Sequence, residues 1–231
     1  MGTNIESPVL RADAYFFDID GTLIVSRDLV HWNAMHQAML EAYGLDANFD
    51  GIPYHGKTDV AILRMALNRR GISDAVFYDK LPQALAVVRG HVAANVSGFQ
   101  PDVCPCIPRV LAEIRDLKKL LGVASGNLES VGWNKLSAAG LRDFFVCGSF
   151  GDNFELRAAI FDHAVTSAKR QLGHAAAICF LGDTPDDVQA ARKVNAKVVA
   201  VATGIFTQAE LARFNPDLCC KSCEDVLGRL Q

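Results

Sequence analysis

The sequence predicts an α/β protein: a doubly wound parallel sheet interrupted by an inserted helical subdomain. Three observations carry this. Five short runs rich in β-branched and aromatic residues recur without clean alternation, as strands buried on both faces do. Between them, apolar residues recur at the helical period of 3.6, and strand–helix repetition of this kind builds a doubly wound domain. Finally, residues 18–121, between the first and second runs, carry helical patterns only. A crossover helix needs only about a dozen residues, so the excess is an insert.

The first strand is placed at residues 14–17 (AYFF). In the insert, Met35, Ala38, Met39 and Ala42 make one helical stripe closed by Gly44, and Val60, Leu63, Ala66 and Leu67 make another closed by Gly71. A third helix is expected over residues 80–96. Residues 99–108 hold three prolines and read as the returning linker. The insert therefore spans 24–98, and residues 1–23 with 99–231 form the α/β core. Further strands are placed at 122–124 (GVA), 144–147 (FFVC), 177–181 (AICFL) and 197–201 (KVVAV). The stripe Ile107, Val110, Leu111, Ile114 and Leu117 and the stripe Leu156, Ile160, Ala164, Ala168 and Leu172 supply covering helices.

The chain of 231 residues is long enough for one large domain or a core with a smaller insert. Half its residues are hydrophobic and 21% are charged, which excludes intrinsic disorder. A net charge of −3 argues against nucleic acid as a partner. No apolar run reaches the ~18 residues that would span a bilayer, so no membrane partner is expected. The first 13 residues lack the basic start and apolar stretch of a secretory signal, and Glu6 stands where myristoylation wants Ser or Thr. Seven cysteines, an odd count, read as reduced thiols in a cytoplasmic protein. Cys147 and Cys179 lie in apolar runs and read as small core residues. Residues 219–223 contain one CxxC, formed by Cys220 and Cys223 beside Cys219, but a zinc site needs four ligands and the other half is missing. A monomer or a homodimer is expected.

Open α/β sheets bind ligands at the carboxyl ends of their strands. Asp18, Ile19, Asp20 and Gly21 follow the first strand; Ser125, Gly126 and Asn127 follow the second; Asp183, Thr184, Pro185, Asp186 and Asp187 follow the fourth. Each has a plain structural reading. Asp-Gly is a common turn. Thr184 with Pro185 is a helix start whose acids favour the dipole. Ser125 to Asn127 fits a loop before a helix. Their convergence on one sheet edge is harder to dismiss. Several carboxylates in one site need a compensating charge, and a hard cation such as Mg²⁺ suits carboxylate oxygens and phosphate ligands.

These residues resemble the haloacid dehalogenase-like hydrolase superfamily, in its helical-cap, phosphoglycolate phosphatase-like branch with a Rossmann-like core. The resemblance covers nearly the whole chain: DxDGTL at residues 18–23, Ser125 ending an apolar strand, and GDxxxD at 182–187. The family usually places a Lys before the helix leading to its last motif; here Arg157 stands there, with Lys135 and Lys169 as alternatives inside helical patterns. The family's dehalogenases lack an acid–base Asp two residues after the nucleophile, and Asp20 fills that position here.

The resemblance implies a Mg²⁺-dependent phosphatase acting on a small phosphorylated metabolite through an aspartyl-phosphate. Asp18 would be the nucleophile and Asp20 the acid–base. Mg²⁺ would be held by Asp18, Asp183 and the Asp20 carbonyl, with Asp187 acting through a water. Ser125, Gly126 and Arg157 would hold the phosphate, and Asn127 would line the site. From the residues themselves, the polar insert segment 54–59 is expected to touch substrate, with Lys57 meeting a distal anion, or else to be a helix start capped by Thr58. A phosphosugar mutase using the same aspartates and a non-catalytic phospho-ligand binding protein are the rival readings.

Overall fold

The computed structural model describes residues 10–230, so the reading of the first nine residues, Glu6 included, lies outside the described residues. Strand β1 (Ala14–Phe17) is buried throughout and leads to a tight turn and the short β2 (Ile24–Ser26). Three helices follow: α1 (Val30–Tyr43), α2 (Asp59–Asn68) and α3 (Asp74–Ala94). The chain returns through β3 (Pro101–Val103) to α4 (Ile107–Asp116), β4 (Leu120–Ala124) and α5 (Glu129–Ala138). It ends through β5 (Cys147–Ser149), α6 (Arg157–Leu172), β6 (Ile178–Gly182), α7 (Pro185–Lys193), β7 (Lys197–Val201), α8 (Gln208–Ala212) and β8 (Leu218–Cys220).

Six strands form one parallel sheet in the order β5-β4-β1-β6-β7-β8. The order reverses beside β1, between β4 and β6, and such a switch point opens a crevice at the strands' carboxyl ends. Because successive side chains face opposite ways, Tyr15 and Phe17 enter one apolar layer with Val123, Leu181 and the α4 stripe. Phe16 enters the other, with Phe180, Ile160 and Val198. There Phe161 of α6 stacks on Phe180 at 3.9 Å.

The helices α1 to α3 bury a third cluster that includes Met39, Leu63, Phe77 and Val88, and it takes in Leu128 and Val131 at the start of α5. The helical unit is thus packed directly onto the sheet domain. Arg64 donates to Glu155 (2.8 Å) and Arg89 to Asp152 (2.7 Å) across the same seam.

Four secondary-structure expectations are corrected. Residues 99–108 are not only linker, because β3 pairs antiparallel with β2, with Ile24 opposite Val103 and Ser26 opposite Pro101. Three-residue strands show no alternation, and Pro101 is tolerated in a two-stranded ribbon where both strands are edges. The third insert helix begins at Asp74, not residue 80, with Ser73 capping it and Pro82 inside it. The packing of Phe77, Ala84, Leu85 and Val88 outweighs the one hydrogen bond that proline removes. The strand expected at 144–147 lies at Cys147–Ser149, because Phe145 is buried in a turn while Val146 is 74% exposed. Strand β8 was not expected, its three residues being too short to read. Among the described residues no helix is long and apolar enough to cross a membrane.

Candidate active site

The site is built at the carboxyl ends of β1, β4 and β6. Asp18 leaves β1 with its N–H donating to Leu181 O (2.9 Å), so its backbone is still tied to β6. The chain then turns at Gly21, whose φ of +85° suits glycine. A Cβ there would also lie 2.3 Å from Asp183 Oδ2. Thr22 Oγ1 donates to Asp183 Oδ1 (3.1 Å), which aims that carboxylate at Asp18. After β6, Thr184 caps α7 in a capping box with Asp187, whose Oδ2 accepts from the Thr184 N–H and hydroxyl. Asp187 therefore serves both readings of its segment: it caps the helix and turns its second oxygen into the site.

Asp18, Asp183 and Asp187 are buried, with one carboxylate oxygen from each within 4.8 Å of the others. Burial raises the Asp18 pKa to about 6; Arg157 opposes that rise, and Asp187 and Asp20 add to it. Asp183 is pushed well above the usual carboxylate range by burial and then by Asp18 and Asp187. Three converging buried acids fit a hard divalent cation, since its charge relieves both burial and repulsion.

Two cations flank the acids. Arg157, the first residue of α6 and 8% exposed, places Nη2 2.9 Å from Asp18 Oδ1 and donates through Nε to Asp187 Oδ1 (2.6 Å). Burial disfavours its charge, but Asp18 and Asp187 hold it. Nη2 also meets Asp187 Oδ1, so the guanidinium bridges the two carboxylates. Lys135, 4% exposed, donates to both oxygens of Asp20 (2.9 and 2.7 Å) and to Asn127 Oδ1 (2.9 Å). Asn127 Nδ2 in turn donates to Asp20 Oδ2 and to Ser125 Oγ, each at 2.8 Å. Burial would raise the Asp20 pKa, yet Lys135 and Asn127 hold it below the usual range. Neither Ser125 nor Asn127 caps α5; Asp59 of the helical unit accepts from the Leu128 N–H instead (2.9 Å).

A cavity of 280 Å³ lies over these groups, between the sheet domain and the helical unit. Its floor includes Asp18, Asp20, Ser125, Gly126, Asn127, Arg157 and Asp183, and its roof includes His31, Trp32, Met35, Tyr54, His55 and Lys57. That volume suits a small molecule, and the mixture of acids with the Arg157 and Lys135 cations suits an anionic group brought in with a metal.

A model of haloacid dehalogenase-like hydrolases matches residues 12–195. The chain belongs to this hydrolase family. It is 27% identical over 216 residues to a phosphoglycolate phosphatase of Synechococcus elongatus, covering 93% of this chain and 95% of that one. A phosphoglycolate phosphatase of Mesorhizobium japonicum is 26% identical over 202 residues, covering 87% and 86%. The crystal structure of CbbY from Rhodobacter sphaeroides shares the fold with a TM-score of 0.70 at 17% identity, over 94% of this chain and 96% of that one.

Within this family frame, the structure brings Asp18, Asp20, Ser125, Gly126, Asn127, Arg157, Asp183 and Asp187 to one sheet edge. Lys57 lines the cavity, but its ammonium is paired with Asp186 across the seam rather than directed at open space. Thr58 caps α2, accepting from the Ala61 N–H (3.1 Å), and donates to Glu155 O (2.8 Å). Sequence reasoning passed over Lys135 as a helix residue. Its signal was a lysine on the same face of α5 as Val131 and Gly132, both buried. Lys169 lies in the last turn of α6, away from the cavity. His31, Trp32 and Met35 of α1 gave no signal, because only packing turns that face over the site.

The seam itself is tight at Gly126. Asp59 N–H donates to Gly126 O (2.9 Å), and a Cβ at Gly126 would lie 2.3 Å from Lys57 O. Gly126→Ala is therefore expected to cost about 1–3 kcal/mol in urea denaturation, because main chain on both sides must shift. An unchanged midpoint would show that the seam is open in solution.

Proposed function

We propose that this hydrolase is a Mg²⁺-dependent phosphatase that hydrolyses a small phosphomonoester, such as phosphoglycolate, through an aspartyl-phosphate on Asp18. The observation that carries this is the buried trio Asp18, Asp183 and Asp187 set against the Arg157 guanidinium under a small cavity. The names of the two curated relatives favour phosphoglycolate as the substrate and water, rather than a sugar, as the acceptor.

Mg²⁺ would be held by Asp18 and Asp183, by the Asp20 carbonyl, and by Asp187 through a water. When bound, it supplies positive charge against the carboxylates and the phosphoryl oxygens. Arg157 Nη2, Ser125 Oγ and the Gly126 N–H bind the phosphate oxygens and orient the phosphorus toward Asp18. An Asp18 oxygen then attacks, and the alcohol leaves; splitting one hard displacement into two easier ones is the gain. Asp20 handles the proton. Held ionised by Lys135 and Asn127, it suits the second half, in which it takes a proton from the attacking water. An anionic phosphate beside it raises its pKa and lets it carry that proton to the next leaving alcohol. Residues 24–98 act as a cap that excludes bulk water.

Phosphate release from a panel of phosphomonoesters, with and without Mg²⁺, tests this reading. Phosphoglycolate should rank among the best substrates. Formation of a phosphosugar isomer without free phosphate would overturn it in favour of a mutase, and no turnover of any ester would leave a binding protein.

We also propose that Lys57 exchanges Asp186 for the substrate's distal carboxylate. Both partners are partly exposed, so their pair is weak and exchange costs little. Lys57→Ala is expected to lower kcat/KM for phosphoglycolate roughly 10-fold while sparing p-nitrophenyl phosphate. Equal losses on the two esters would limit Lys57 to docking the cap.

A further inference from the structure

We infer, on the reading of Arg157 as a phosphate-holding group, that Glu155 is a positioning residue through which the docked cap sets the Arg157 guanidinium. Arg157 bridges Asp18 (2.9 Å) and Asp187 from the first turn of α6, so its reach depends on where that turn is held. The turn has little of its own to fix it. Leu156, the N-cap residue, makes no side-chain capping bond and is 71% exposed. Residues 150–156 form neither helix nor strand.

Glu155 is tied instead to the cap, three times over. Its main-chain oxygen accepts from Thr58 Oγ1 (2.8 Å), its Oε1 from Arg64 Nη1 (2.8 Å) and its Oε2 from the Tyr78 hydroxyl (2.6 Å). These donors are themselves fixed. Thr58 is fully buried and caps α2. Arg64 donates through Nε and Nη2 to the two oxygens of Asp74 (3.0 and 2.6 Å), which leaves Nη1 for Glu155. Arg64 lies in α2, while Asp74 and Tyr78 lie in α3, so one carboxylate is gripped by both helices. The cap also touches the arginine directly, because Arg157 Nη1 donates to Gly56 O (3.4 Å).

As a fastener the Arg64–Glu155 pair is weak, since both side chains are partly exposed. Its effect lies in the place it holds. Two residues of chain span at most about 7 Å, so a shift at Glu155 passes to Arg157 with little loss. A reacting group misplaced by about 1 Å can cost roughly 100-fold in rate. A docked cap therefore both excludes water and brings the guanidinium into register with Asp18 and the phosphoryl oxygens.

The test is a double-mutant cycle in the full chain with Mg²⁺. It is read as kcat/KM for p-nitrophenyl phosphate and, independently of turnover, as the Kd of inorganic phosphate by calorimetry. Glu155→Ala should worsen each about tenfold, with circular dichroism unchanged. Glu155→Gln, whose amide oxygen still accepts from Arg64 or Tyr78, should recover most of the loss. In an Arg157→Ala background there is no guanidinium to place, and Glu155→Ala should cost less than about twofold. If that background does not fold, Arg157→Lys replaces it, because lysine keeps a positive charge among the carboxylates and its flexible stem tolerates a shifted main chain. Equal losses with and without Arg157 would overturn the inference and leave Glu155 as a seam contact; so would a Glu155→Ala variant indistinguishable from the parent. Parent protein that binds no phosphate and turns over no ester would overturn the phosphatase reading as well, so the two failures are told apart.

Discussion

Asp18→Asn is expected to lower turnover by at least about 10⁴-fold, or ~5.5 kcal/mol of barrier, and to abolish any trapped phosphoenzyme. The amide is nearly isosteric with the carboxylate, so the loss is chemical rather than structural. Asp18 is buried beside Asp183 and Asp187, and its ionised form is disfavoured there. Removing that charge leaves Arg157 paired with Asp187, so the metal-free variant should melt at or above the temperature of the parent. Asp20→Asn should behave differently: an ester with a good leaving group should still phosphorylate Asp18, and release from the enzyme should stall. Turnover within about tenfold of the parent for Asp18→Asn, a change of only ~1.4 kcal/mol, would rule out covalent catalysis.

Removing divalent cations is the second large effect expected. With a chelator, activity should fall to background, and Mg²⁺ should restore it. The pH dependence follows from the acids themselves. The folded pKa of Asp18 is raised to about 6, so without metal the carboxyl is largely protonated below that value and ionised above it. Metal binding needs the carboxylate, and the proton competes with the cation. The rise in Tm produced by Mg²⁺ should therefore be full near pH 8 and shrink as pH falls through about 6. Asp183, also raised, steepens the change in the same direction. Full turnover in chelator, or a Mg²⁺ shift in Tm that grows on acidification, would overturn the metal assignment.

The sequence alone was enough to give the fold class, because it depends on local rules. Strands buried on both faces must be apolar runs, as residues 14–17 and 197–201 are. A chain leaving such a strand with Asp18 and Asp20, or with Asp183 and Asp187, must deliver them to the strand's carboxyl end. Elements of three residues, such as β2, β3 and β8, fall below the length at which a period exists to be read. Pairings between distant segments were beyond reach for a different reason. Lys135 reads only as an alternative to Arg157 inside a helical pattern until α5 is docked and its ammonium meets Asp20. Lys57 reads as a free cation until the cap settles and Asp186 faces it. What a residue is was decided locally; which charge it answers to was decided by helix docking, a balance of buried area that no short window of sequence contains.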